Sequence, residues 1–152
     1  MDVLSLKESQ IIRIEGNRYK VLNMTKFVEK SSYWIEYKLQ NMESFKCYYL
    51  NVELSQKAIL YEIQDESAIE LKMNINFHGE EFSLFEKGQG KVETYYGLTD
   101  VAVGDVDEYY EYESKENLNR VLSIEKWRNI TEISIGKVIK KSDIKILNEF
   151  DE

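Results

Sequence analysis

Apolar and polar residues alternate one by one along most of this chain. Ile69, Leu71, Met73, Ile75 and Phe77 are separated by Glu70, Lys72, Asn74 and Asn76, so nine residues carry one apolar face and one polar face. Tyr33, Ile35, Tyr37 and Leu39 do the same around Trp34, Glu36 and Lys38. Leu50, Val52 and Leu54 alternate with Asn51 and Glu53, Leu122 and Ile124 flank Ser123, and Ile133 and Ile135 flank Ser134. A period of two is the signature of a strand with one face buried, and its recurrence predicts antiparallel sheet. Turn signals break the runs at Glu15-Gly16-Asn17, Asn41 to Ser44, Gln64 to Ser67, His78-Gly79, Lys87 to Gly90 and Val103-Gly104-Asp105. Signals about 8–12 residues apart are what a sandwich or barrel produces.

Composition sharpens this reading. There is no proline, while 11 Tyr, 6 Phe and 2 Trp accompany many Ile and Val, residues that suit pleated, half-buried surfaces. Helical candidates are poor: residues 115–121 could make one turn, and the terminal NEFDE reads as a frayed acidic end. The pattern therefore predicts an all-β antiparallel meander of eleven or twelve strands. An internal echo adds a finer expectation. Gly16, Glu36 and Glu53 sit in G-N-R-Y-K-V, W-I-E-Y-K and Y-L-N-V-E; Gly88, Glu111 and Glu125 sit in G-Q-G-K-V, Y-Y-E-Y-E and V-L-S-I-E, in the same order. Two related, tightly packed small barrels or curled sheets, 1–78 and 79–152, would let each unit cover the other's apolar face.

The 152 residues and 18.0 kDa suit one compact unit, with 43% hydrophobic residues available for a core. Acids outnumber bases by 28 to 20, a net charge of −8, opposite in sign to what general nucleic-acid binding requires. No apolar run exceeds four residues, so no helical span is expected. The N-terminus lacks a basic start with a greasy stretch behind it, and one Cys allows no internal disulfide. Both features fit a reducing cytoplasm.

Candidate chemistry is thin. Glu36, Glu53, Glu111 and Glu125 share strand faces with Trp34, Asn51, Tyr109 and Ser123; paired acids beside aromatics can hydrolyse glycosides, but the same register describes a solvated strand face. His78 falls in a turn, and Cys47 alternates with Phe45 and Tyr49 as a half-buried small hydrophobe would. One Cys and one His do not make a zinc set, and Gly88-Gln89-Gly90 lacks the residues and helix of a phosphate loop, reading instead as a glycine turn or bulge. The most unusual stretch is Asp105 to Glu116, with six acids and one Lys among Tyr109, Tyr110 and Tyr112. Residues 126–145 answer it with six bases and two acids, an asymmetry that can steer a partner.

The motifs also resemble a known bacterial family, the domain of unknown function 4178. Gly16, Tyr19 and Val21, then Trp34, Glu36 and Tyr37, then Leu50, Val52 and Glu53 carry its first half. Phe82, Glu86, Gly88, Gly90 and Val92, then Tyr112, then Leu122 to Glu125 and Trp127 carry the second. The resemblance spans roughly residues 9 to 147. It implies a mostly β protein without an established activity, encoded near membrane-stress proteins of the phage-shock type, and it offers no catalytic residues.

The expectation from the sequence is a non-enzymatic cytoplasmic module without cofactor or metal. It would bind a protein partner or a second copy through Trp34, Glu36 and Tyr37 and through Tyr109, Tyr110, Glu111, Tyr112 and Glu113. The alternative is a small ligand in a barrel mouth or in a cleft between the halves. A hydrolase stands third.

Overall fold

A computed structural model describes residues 2–55 and 57–147. Eleven strands follow in order: β1 (Ile11–Ile14), β2 (Asn17–Glu29), β3 (Ser32–Asn41), β4 (Cys47–Val52), β5 (Lys57–Ile63), β6 (Asn74–Phe77), β7 (Glu80–Gly97), β8 (Val106–Ser114), β9 (Arg120–Trp127), β10 (Ile130–Lys140) and β11 (Ile144–Leu147). Among the described residues, only two single turns of 3₁₀ helix, Val3–Ser5 and Lys141–Asp143, accompany them. The described chain is all-β, as the alternation predicts.

Every pairing is antiparallel. Strands β2, β3, β4 and β5 form one meander, and β7, β8, β9 and β10 form another. Pairing of β5 with β10 and of β2 with β7 joins their edges, so eight strands close into one barrel. Closure leaves the barrel wall no free edge. Strands β1 and β11 extend from the start of β2, and β6 pairs with the start of β7. Of the two tightly packed small barrels or curled sheets expected from the echo, neither closes into a barrel by itself: the two four-stranded meanders share a single barrel, because each finds its missing neighbours in the other.

Strand β2 pairs with β3 along one edge and serves two neighbours along the other, β1 through Asn17 to Lys20 and β7 through Asn23 to Val28. A bulge at Leu22 separates the two stretches. One extra residue flips the side-chain parity. Tyr19 and Val21 therefore join an apolar layer, while Asn23, Thr25 and Phe27 turn the other way.

The apolar faces of the wall point outward, where flanking segments of the same chain cover them. Ile35, Tyr37, Leu39, Leu50, Val52 and Ala58 pack under the N-terminal segment, β1 and β11, through Val3, Leu6, Ile12, Ile14 and Ile144. Phe82, Tyr112, Leu122, Ile124 and Ile133 pack under β6, with Ile69 and Leu71 from the preceding segment. Tyr37 ties the first cover down: its hydroxyl donates to the Val3 carbonyl at 2.8 Å and accepts from the Leu6 N–H at 3.1 Å. The Tyr112 hydroxyl does the same for the second, donating to the Lys72 carbonyl at 2.8 Å.

Several local expectations change. Of the nine alternating residues 69–77, only Asn74–Phe77 joins the ladder; Ile69 and Leu71 pack as a cover without strand pairing. Gly88-Gln89-Gly90 is no turn but the middle of β7, so Gly16, in the β1–β2 turn, has no counterpart in Gly88. Residues 115–119 form bends and a turn that lead into β9, which takes in 120 and 121, with no helix. Cys47 is exposed rather than half-buried. The NEFDE end lies outside the described residues. His78 is an exposed turn residue, its ring stacked on Phe77 and its Nε2 against Glu66.

Candidate functional site: an acidic barrel lumen

Since outer faces take the apolar residues, alternation turns the polar ones inward. The lumen receives Trp34 and Glu36 from β3, Asp107, Tyr109 and Glu111 from β8, and Glu125 from β9. What the alternation offered as a solvated strand face is the inside of the barrel. Phe27 stacks on Trp34 with centroids 5.4 Å apart, and Trp34 meets Tyr109 edge-on at 5.5 Å. Gly90 makes this possible. A Cβ there would sit 2.5 Å from the Trp34 ring, so a larger residue in the middle of β7 would push the indole out. Gly88 likewise leaves room for the Tyr109 hydroxyl, which a Cβ would approach to 2.7 Å.

Two chambers meet in the lumen. The larger, about 550 Å³, lies between Asn23, Thr25 and Phe27 on one side and Glu36, Tyr49 and Glu132 on the other. Trp127, Val106, Ile130 and the loop 98–101 line its mouth. The smaller, about 200 Å³, is lined by Trp34, Asn51, Glu53, Glu86, Tyr109 and Glu111. Asp107 and Glu125 line both chambers and form the waist between them.

The electrostatics are one-sided. Glu36, Asp100, Asp105, Asp107, Glu125 and Glu132 line the larger chamber against one base, Lys38. Burial pushes the Glu36 carboxyl well above the usual carboxylate range, reinforced by the negative charges of Glu125, Glu132 and Glu111. Burial also raises Glu111, to about 8, against the pull of hydrogen bonds from Tyr61 and Ser123. Those bonds are 3.1 and 3.2 Å long, and the first spans the lumen from β5. Asp107 and Glu125 are both raised, chiefly by burial and then by neighbouring carboxylates, and they hydrogen-bond to each other. Such a bond needs a proton between the two groups. One oxygen of Asp107, Oδ1, has no hydrogen-bond partner although the residue is only 6% exposed; Asn51 Oδ1 is likewise buried and unpartnered.

The eight residues singled out by sequence do not share one surface. Trp34, Glu36, Tyr109 and Glu111 face the lumen, and Glu113 lines a third cavity beside Glu86 and Glu111. Tyr37 and Tyr112, 0% and 1% exposed, belong to the outer layers, with Tyr110 beside Tyr112. Tyr109 donates to Glu29 at 2.6 Å, with Glu86 at 3.3 Å. Among the candidate carboxylates, Glu125 lies at the waist and Glu53 at the edge of the smaller chamber. Sequence reasoning passes over Asp107, Tyr61, Tyr49 and Glu132. Asp107 was within reach, because it shares the parity of Tyr109 and Glu111 on β8; Tyr61 and Glu132 enter only through the β5–β10 seam. Among the described residues no cluster of three or more His, Cys, Asp or Glu is arranged to hold a metal ion, and no helix is long and apolar enough to cross a membrane.

The fold and site define a closed antiparallel β-barrel with apolar layers outside its wall and a buried acidic lumen. The family model described as Domain of unknown function (DUF4178) matches residues 7–141, and the chain belongs to that family. No curated protein and no solved structure matches it.

Proposed function

We propose that this chain is a binding module whose ligand is a small molecule held in the lumen. One observation carries this reading: the strand faces turned inward leave a 550 Å³ chamber, open at a mouth and lined by convergent polar groups and aromatic rings. Its volume falls within the roughly 300–1,000 Å³ of small-molecule sites. A residual Asp107 oxygen without a partner supports it, since a buried acceptor left unpaired costs about 1–3 kcal/mol unless something bonds to it. The hydrolase alternative would need two of the lumen acids to work as an acid–base pair, and we keep it below binding.

Mass spectrometry of freshly purified protein under non-denaturing conditions tests the reading. A small adduct that leaves on unfolding is expected. A bare chain whose tryptophan fluorescence responds to no fraction of a cell extract would remove it.

Association with a protein partner or a second copy is the second reading. It is favoured by Leu98 and Val103, 94% and 65% exposed, on the loop beside the mouth. In the same spirit, the doubling of the chain is supported by register: Glu36 lies opposite Asn51 across β3–β4, and Glu111 lies opposite Ser123 across β8–β9.

A further inference from the structure

We propose that the lumen ligand is an organic polycation of the linear-amine class, its ammonium groups set against Asp107 and Glu125 at the waist and its methylene stem against the lumen's aromatic rings. This inference rests on the reading of the lumen as a small-molecule site and gives that ligand its chemistry.

The sign comes from the charge. Six carboxyl groups face the larger chamber with one lysine, and the smaller chamber is lined by Glu29, Glu53, Glu86, Asp107, Glu111 and Glu125 with no basic residue. An anion would be repelled throughout. A neutral ligand would leave the acids in their strained, burial-raised state.

The shape comes from the distribution. The carboxyl groups are spread through both chambers, and nowhere among the described residues do three of them gather as a metal site would need. Charge strung along a passage fits a ligand whose own charges are strung along a chain. Trp34 and Phe27 lie on one side of the waist region and Trp127 at the larger chamber's mouth. Aromatic faces hold ammonium groups and methylene stems alike.

An independent observation fixes the contact point. Asp107 lines both chambers with a side chain more than nine-tenths buried, and its Oδ1 is a buried acceptor without a partner. An ammonium N–H there would satisfy it.

Protons follow. Facing Asp107 are Glu36 from β3, Glu111 from β8, Glu125 from β9 and Glu132 from β10, with Lys38 on β3 as the lone base of that chamber. Burial, reinforced by their mutual repulsion, keeps some of these acids protonated near neutrality when the lumen is empty. An arriving cation ionises them, so binding expels protons and tightens as pH rises.

Trp34 and Trp127 are the chain's two tryptophans, and both line the lumen, so intrinsic fluorescence reports on it directly. The experiment titrates the full chain with spermidine at pH 7.5 and 150 mM NaCl, with calorimetry in two buffers of different ionisation enthalpy. Saturable binding with net proton release is expected. At least a tenfold loss of affinity is expected in both Asp107→Asn and Glu125→Gln, and no change in Glu70→Gln, an exposed acid outside the lumen. Equal affinity in wild type and both lumen variants would overturn the assignment. Two variants are used because each must first show a wild-type fluorescence spectrum and a cooperative melt. If spermidine gives no response but mass spectrometry finds a neutral or anionic molecule retained, the polycation is wrong and the lumen site stands. If neither spermidine nor any retained molecule is found, both fall.

Discussion

Glu36 and Tyr37 are neighbours on one strand, yet they live in opposite halves of the protein's physics. Tyr37 is fully buried outside the wall, among Val3, Leu6 and Leu39, with both sides of its hydroxyl bonded. Glu36 points into a lumen where its charge is resisted by burial and by three other carboxyl groups. The outer layers look like an ordinary protein interior: close-packed, apolar and satisfied. The lumen is the reverse, with two buried acceptors lacking donors and far more acids than bases. This contrast teaches where each job lies. The outer layers hold the barrel together, and the lumen tolerates a cost in stability.

The largest test of that division is a cavity in the outer layer. Leu50, 0% exposed on β4, should lose about 2–5 kcal/mol on Leu50→Ala, read by chemical denaturation. A loss near zero would mean that the outer layer is not the core. Next comes Gly90→Ala, on the lumen face. The new methyl would meet the Trp34 ring, so the expected cost is about 1–3 kcal/mol together with a changed tryptophan emission.

Glu111→Gln should move stability the other way. The Glu111 carboxyl titrates at about 8 in the fold against a usual 4.5. Between those values the folded state binds more protons than the unfolded one, so this group's contribution to stability falls as pH rises. The groups facing it (Tyr61 on β5, Ser123 on β9, Glu86 on β7 and Glu53 after β4) supply hydrogen bonds or further negative charge. With lumen hydration allowed for, the substitution should recover about 1–2 kcal/mol at pH 8.5, a rise of roughly 3–6 °C in Tm, and change little at pH 4.5. A lower Tm at pH 8.5 would show that the ionised acid is held by donors. The smallest effect belongs to the exterior: Lys137→Ala breaks an exposed pair with Glu15, 2.7 Å long, and should cost under about 0.5 kcal/mol by thermal melting.

Much of the site was already legible as sets of residues. Trp34 with Glu36, and Tyr109 with Glu111, share a face because odd and even positions of a strand must. The same rule separates Tyr37 and Tyr112 from them, although the sequence pattern alone places them all on Tyr-bearing acidic strand surfaces. Gly88 and Gly90 misled for a physical reason. Glycine marks a turn in most strand patterns, and here it marks the place where β7 must let Trp34 and Tyr109 come close. The run through Ile69 and Leu71, outside the ladder, misled for another: alternation also suits an apolar cover that packs without a ladder.

What the sequence settles alone is local. Alternation assigns each side chain to one of two faces, paired positive-φ residues such as Glu15-Gly16 and His78-Gly79 close hairpins, and the absence of proline leaves long strands uninterrupted. Which face becomes the inside is decided by long-range pairing. Only the seams β2–β7 and β5–β10, together with covering segments drawn from both ends of the chain and from its middle, put the apolar face outside and the acids within. A two-residue period is symmetric between concave and convex, and closure is what breaks that symmetry.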